Sequence, residues 1–169
     1  MTEKSYKKIE LFFKSHDKLY FLLRIIYKYL PIFIYILYPV LLINTFIVIL
    51  KGGSAEDFVR TLVIPAITFL SVTVLRIIIN KPRPYEAMNI TPLIKKNTKG
   101  KSFPSRHAAS IFIIAMSCFT LSPVLAVILL ITGVIMCISR VLSGVHYISD
   151  VVCGALFSVI LGLFGIIFL

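Results

Sequence analysis

His146 and Asp150 stand four residues apart, a spacing that places both side chains on one face of a helix. A carboxylate that holds one imidazole nitrogen leaves the other free to attack phosphorus, and it steadies the positive charge that develops on the ring. The product of that attack is a phosphohistidine, and forming it requires an acid for the leaving oxygen. His107 suits the task, as acid in the first step and as base for water in the second. The phosphate oxygens need positive partners. Arg76, Arg83, Arg106 and Arg140 offer guanidinium forks that match them two bonds at a time. Ser105 either lends its hydroxyl or caps the helix that starts after it, whose first backbone amides also face an anion.

What singles these residues out is where they lie. From Phe103 onward the only Arg, Lys, His, Asp or Glu side chains are Arg106, His107, Arg140, His146 and Asp150, set in otherwise apolar sequence. An ionisable group at the edge of hydrocarbon costs several kcal/mol unless paired or hydrated, which makes each one a functional candidate. Taken singly, Arg76 or Arg140 reads as a snorkelling anchor, Lys81 and Arg83 as loop cations, and His16 as a polar-face residue. The run Lys95, Lys96, Lys99 and Lys101 reads as a solvated or headgroup-binding face. Together, arginines with so few acids near them repel one another unless an anion binds among them. Asp150 is the only acid after Glu86, and divalent cations in phosphoryl transfer are normally held by carboxylates, so the expected chemistry uses no metal and no cofactor. The absence of a glycine-rich phosphate loop argues against nucleotides.

The elements that must position these groups are membrane helices. Of the 169 residues 59% are hydrophobic and only 15% charged, with mean hydropathy +0.98, far too apolar for an ordinary soluble domain. The net charge of +11 suits anionic headgroups or phosphate, and because the charges sit between long apolar runs, nucleic acid is not the expected partner. Cys118, Cys137 and Cys153 fall inside those runs as small hydrophobes, with neither disulfide nor zinc spacing. The expected fold is all-α: a polytopic membrane bundle of about five transmembrane helices behind an N-terminal amphipathic helix over residues 1–28, with residues 29–169 as the membrane domain. The spans are expected over Tyr29 to Leu50, Phe58 to Asn80, Ser105 to Leu121, Val124 to Arg140 and Tyr147 to Leu169. Pro82 and Pro84 close the second, and a polar loop from Lys81 to Phe103 follows it. One crossing per span brings every candidate residue to a single membrane face, shared with the N-terminus.

The candidates also fall into ordered blocks. They read Arg76-x6-Arg83-Pro84, Pro104-Ser105-Arg106-His107 and Ser139-Arg140-x5-His146-x3-Asp150. These blocks resemble the signature of the type-2 phosphatidic acid phosphatase superfamily, Lys-x6-Arg-Pro, Pro-Ser-Gly-His and Ser-Arg-x5-His-x3-Asp. The resemblance implies a compact bacterial-type lipid-phosphate phosphatase. It implies His146 as nucleophile oriented by Asp150, His107 as acid, and Arg76, Arg83, Ser105 and Arg140 around the phosphate. Two positions depart from the signature. Arg76 replaces a lysine, turning a point donor into a fork, and Arg106 replaces a glycine, where a bulky cation either meets a second phosphate or headgroup or narrows the pocket.

The expected reaction is hydrolysis of a lipid phosphate monoester or diphosphate, of the phosphatidylglycerophosphate, undecaprenyl diphosphate or phosphatidate class, with the bilayer as setting. The alternatives are a lipid phosphotransferase using the same histidine and a non-catalytic lipid-phosphate-binding membrane protein. Oligomeric state is not legible in the sequence. Sidedness is contested. On this topology 16 of the 18 Lys and Arg residues lie on the site's face, which the positive-inside rule assigns to the cytoplasm, whereas the resemblance implies an extracytoplasmic site.

Overall fold

The computed structural model describes residues 2–168, and among them there are helices and no strands. The chain runs α1 (Glu3–Lys14), α2 (Asp17–Leu50), α3 (Glu56–Ile79), α4 (Pro84–Ala87), α5 (Arg106–Ser117), α6 (Pro123–Leu142) and α7 (Ile148–Phe168). The all-α membrane bundle expected from the sequence is the observed architecture. The helices α2, α6 and α7, and the stretch Glu56–Ala87 that begins with α3, are each long and apolar enough to cross a membrane.

Two element boundaries differ from expectation. The single surface helix expected over the first 28 residues is broken at Ser15 and His16, where the Ser15 hydroxyl and His16 Nδ1 both bond the Phe12 carbonyl and end α1. Residues from Asp17 onward are the first turns of α2, which at 34 residues is about 51 Å long against a hydrocarbon core of about 30 Å. Its charges, Asp17, Lys18, Arg24 and Lys28, are confined to the part that exceeds the core, and none occurs from Tyr29 to Leu50. The third expected span is the other correction. Only Arg106–Ser117 is helical, twelve residues or about 18 Å, too short to cross alone.

α5 needs no lipid-facing surface because it is the centre of the bundle, packed against α3, α6 and α7 and touching α2. Ile111, Ile113, Ile114 and Ala115 on α5 form the core with Ile34 of α2 and Ala126, Leu129 and Met136 of α6. Close approach of α5 and α7 follows from small residues at helical spacing on α7, Gly154, Ser158 and Gly162, all buried, while Gly165 one turn on lies against Ile64 of α3. The Ser158 hydroxyl bonds the Ala109 carbonyl across that contact at 2.9 Å. Buried α1 residue Tyr6 lies on the turn between α6 and α7, where a side chain at Gly144 would run into its ring at 2.5 Å.

Candidate active site

The loop between α3 and α5 is held by its own acid. Glu86 accepts bonds from the backbone amides of Arg83 and Gly100, drawing both ends of the loop together. Tyr6 and Tyr20 hold its middle: the Leu93 amide donates to the Tyr6 hydroxyl, and the Tyr20 hydroxyl donates to the Leu93 carbonyl. The start of α5 is held next. Ser105 donates its amide to the Asp150 carbonyl at 2.8 Å, and its own hydroxyl caps α5 by accepting from the Ala108 amide at 3.5 Å. His107, the second residue of α5, thereby lies on the same rim of the bundle as His146, which sits just before α7.

Three of the four expected arginines turn inward and are buried. Arg76 Nη1 donates to the carbonyls of Pro104 at 2.7 Å and Ser102 at 3.3 Å. Arg83 donates to the Gly100 carbonyl and, across the rim, to that of Val145. Arg140, 2% exposed, donates to the Tyr27 carbonyl and rests its guanidinium 3.8 Å over the Tyr27 ring, while its Nε has no hydrogen-bond partner among the described residues. The Arg140 carbonyl accepts from the amides of Val145 and His146, which ties the histidine's turn to α6. Arg106 is not among this group. Its side chain is exposed and lies 6.0 Å from the Phe69 ring on α3.

Asp150 is completely buried and saturated with donors. The Ser102 hydroxyl and the Tyr147 amide serve Oδ2, and Lys81 Nζ serves Oδ1 at 2.8 Å. His146 Nδ1 lies 3.5 Å from Asp150 Oδ2 and 3.4 Å from Ser102 Oγ, longer than a strong hydrogen bond but with this nitrogen turned to the acid. Burial pushes the His146 imidazole down to about 4, a displacement that the attraction of Asp150 only partly offsets and that Arg83 and Arg76 reinforce. The ring is neutral at pH 7, with Nε2 facing away from the acid.

Lys81 and Ser102 are site residues that sequence reasoning missed. Lys81 carried a signal, because Lys81-Pro82-Arg83-Pro84 is stiffened by two prolines and places it beside Arg83. Ser102 carried none. Lys96 also departs from its expected solvated role: it is half-buried, and burial, followed by Arg140, Arg83, Arg76 and Arg106, pushes its ammonium down to about 8. Among the described residues no cluster of three or more His, Cys, Asp or Glu side chains forms. The rim therefore concentrates Arg76, Arg83, Arg140, Lys81 and Lys96 around one buried carboxylate, an environment that favours an anion.

No curated protein matches the sequence. Among solved structures, LpxE of Aquifex aeolicus is 26% identical with a TM-score of 0.64, the alignment covering 86% of this chain and 92% of that one. A PAP2-type phosphatidylglycerolphosphate phosphatase of Bacillus subtilis has a TM-score of 0.68 over 96% of this chain and 81% of its own, and at 20% identity it speaks to the fold alone. Residues 57–169, which hold every candidate side chain, match the PAP2 superfamily, and the chain belongs to that family.

Proposed function

We propose that this membrane protein hydrolyses a lipid phosphate monoester or diphosphate through a phosphohistidine on His146. His146 Nε2 attacks phosphorus while the bond from phosphorus to the leaving oxygen breaks, and His107 gives that oxygen its proton. His107 then takes a proton from water, which attacks the phosphorus, breaks the bond to Nε2 and releases inorganic phosphate. Asp150 orients the imidazole and balances its transient charge, as a buried carboxylate does in a catalytic triad. Arg76, Arg83 and Arg140 meet the phosphate oxygens, assisted by the amides that open α5. The site's positive charge thus comes from guanidinium and ammonium groups. Arg106, at the exposed edge, is assigned to the lipid headgroup.

The observation that carries the reading is the meeting, on one rim, of three buried arginines with His107 and the His146–Asp150 pair. Membership of the PAP2 superfamily and likeness to LpxE support it. The substrate class is that of the phosphatidylglycerolphosphate named for the Bacillus subtilis protein, of undecaprenyl diphosphate or of phosphatidate. On family grounds we place the rim on the extracytoplasmic side. Residues 29–169 form the catalytic membrane unit, and residues 1–28 an interfacial segment that clasps its loop through Tyr6. Phosphate release by the purified protein over a panel of lipid phosphates tests the reading. Turnover should persist in EDTA, fall with vanadate, and drop by several orders of magnitude in H146A. Turnover that survives H146A, or that EDTA abolishes, overturns the mechanism.

A further inference from the structure

Resting on that reading, we propose that Arg24 and Lys28 of α2 form a second anion subsite beside the catalytic pocket, selecting lipids that carry another phosphate next to the one removed. A cavity of about 560 Å³ opens from His107 and Arg140 toward α2, and Arg24, Tyr27, Lys28 and Ile32 form part of its wall. No acid lines it, and neither Arg24 nor Lys28 forms an ion pair with any described residue. Their spacing of four residues turns both cations to the same side of α2.

Two donors in this wall lack acceptors. Arg140 Nε and the Tyr27 hydroxyl are buried and unpartnered, and a buried donor left so costs about 1–3 kcal/mol until an acceptor arrives. Height along the bilayer fits as well. Arg24 and Lys28 lie on the part of α2 that exceeds the hydrocarbon thickness, at headgroup level, while Ile32 lies one turn deeper, where a tail begins. Simple interfacial anchors have no reason to share a cavity with His107 and Arg140. A single phosphate is already served by Arg76, Arg83 and Arg140, so the two α2 cations are left for a second one.

The test is binding of two non-hydrolysable lipids of equal chain length, an alkyl phosphonate and an alkyl methylenebisphosphonate, to the full chain in nanodiscs. The parent should bind the bisphosphonate at least about tenfold more tightly, a difference of about 1.4 kcal/mol. R24Q/K28Q should lose that preference, and the exchange R24K/K28R should keep it, which separates charge from fold. Equal binding of both lipids by the parent, or a preference that survives R24Q/K28Q, overturns the subsite. Phosphate release from the matching natural lipids is measured alongside. If the preference is present and no phosphate is released, the phosphatase reading fails and the subsite stands; turnover without preference does the reverse.

Discussion

Replacing Gly154 by alanine tests whether the contact of α5 on α7 sets the catalytic geometry. A Cβ at position 154 falls 2.7 Å from the Ser105 carbonyl oxygen and 3.3 Å from the Ser105 amide nitrogen. Both are backbone atoms, so no side-chain rotation relieves the clash. Ordinary contact begins at 3.4 Å, so the start of α5 must retreat by about 0.7 Å. Overpacking of this kind costs about 1–3 kcal/mol. The retreat stretches the bond from Ser105 to the Asp150 carbonyl from 2.8 Å to about 3.5 Å, the limit of a hydrogen bond, and carries His107 away from His146. Displacements on this scale lower rates by up to about a hundredfold. G154A should therefore lose about ten- to a hundredfold in kcat on a lipid phosphate, together with a lower unfolding temperature in detergent. G165A is the control. The three atoms nearest its Cβ all belong to the Ile64 side chain, the closest at 2.8 Å, three turns further along α7, so it should lose stability while keeping kcat. If G154A retains its kcat within about twofold, the braced helix starts do not govern the reaction.

Three further outcomes follow from the same geometry. K81M removes the ammonium bonded to buried Asp150; since Lys81 is one-third exposed, the expected loss is about 1 kcal/mol of stability, with a fall in kcat that K81R partly restores, and a variant as active as the parent rejects this role. His146 should make stability fall on acidification. Its native value of about 4 lies below the 6.5 of the unfolded chain, so the unfolded state takes up a proton first and stability drops between about pH 6.5 and pH 4, by about 3 kcal/mol in all. Thermal unfolding in detergent at pH 7.5 and 4.5 measures the drop, and H146Q should diminish it; an equal drop in H146Q assigns it elsewhere. Labelling of cysteines placed at Lys99 and at Gly53 in sealed cells should mark Lys99 from outside and Gly53 only after permeabilisation, and the opposite pattern puts the rim in the cytoplasm.

The amino-acid sequence alone determined that this chain is an all-α membrane protein, because runs of apolar residues as long as α2, α6 and α7 have few other stable solutions in lipid. It also marked His107, Arg140, His146 and Asp150, since ionisable groups are conspicuous against hydrocarbon. It did not disclose that α5 is a short, enclosed helix. Beyond His107 the stretch to Leu121 is mostly apolar, and apolarity does not distinguish a helix facing lipid from one surrounded by other helices. Nor did it separate Lys96 from the exposed lysines around it, or Arg106 from the three arginines that turn inward. An isolated lysine or arginine carries no mark of its partner. Which cation meets the buried carboxylate is decided by distant segments: the prolines after α3, Glu86 drawing the loop closed, and Tyr6 and Tyr20 gripping Leu93. Such contacts join residues far apart in the chain, so they exist only once the helices have packed.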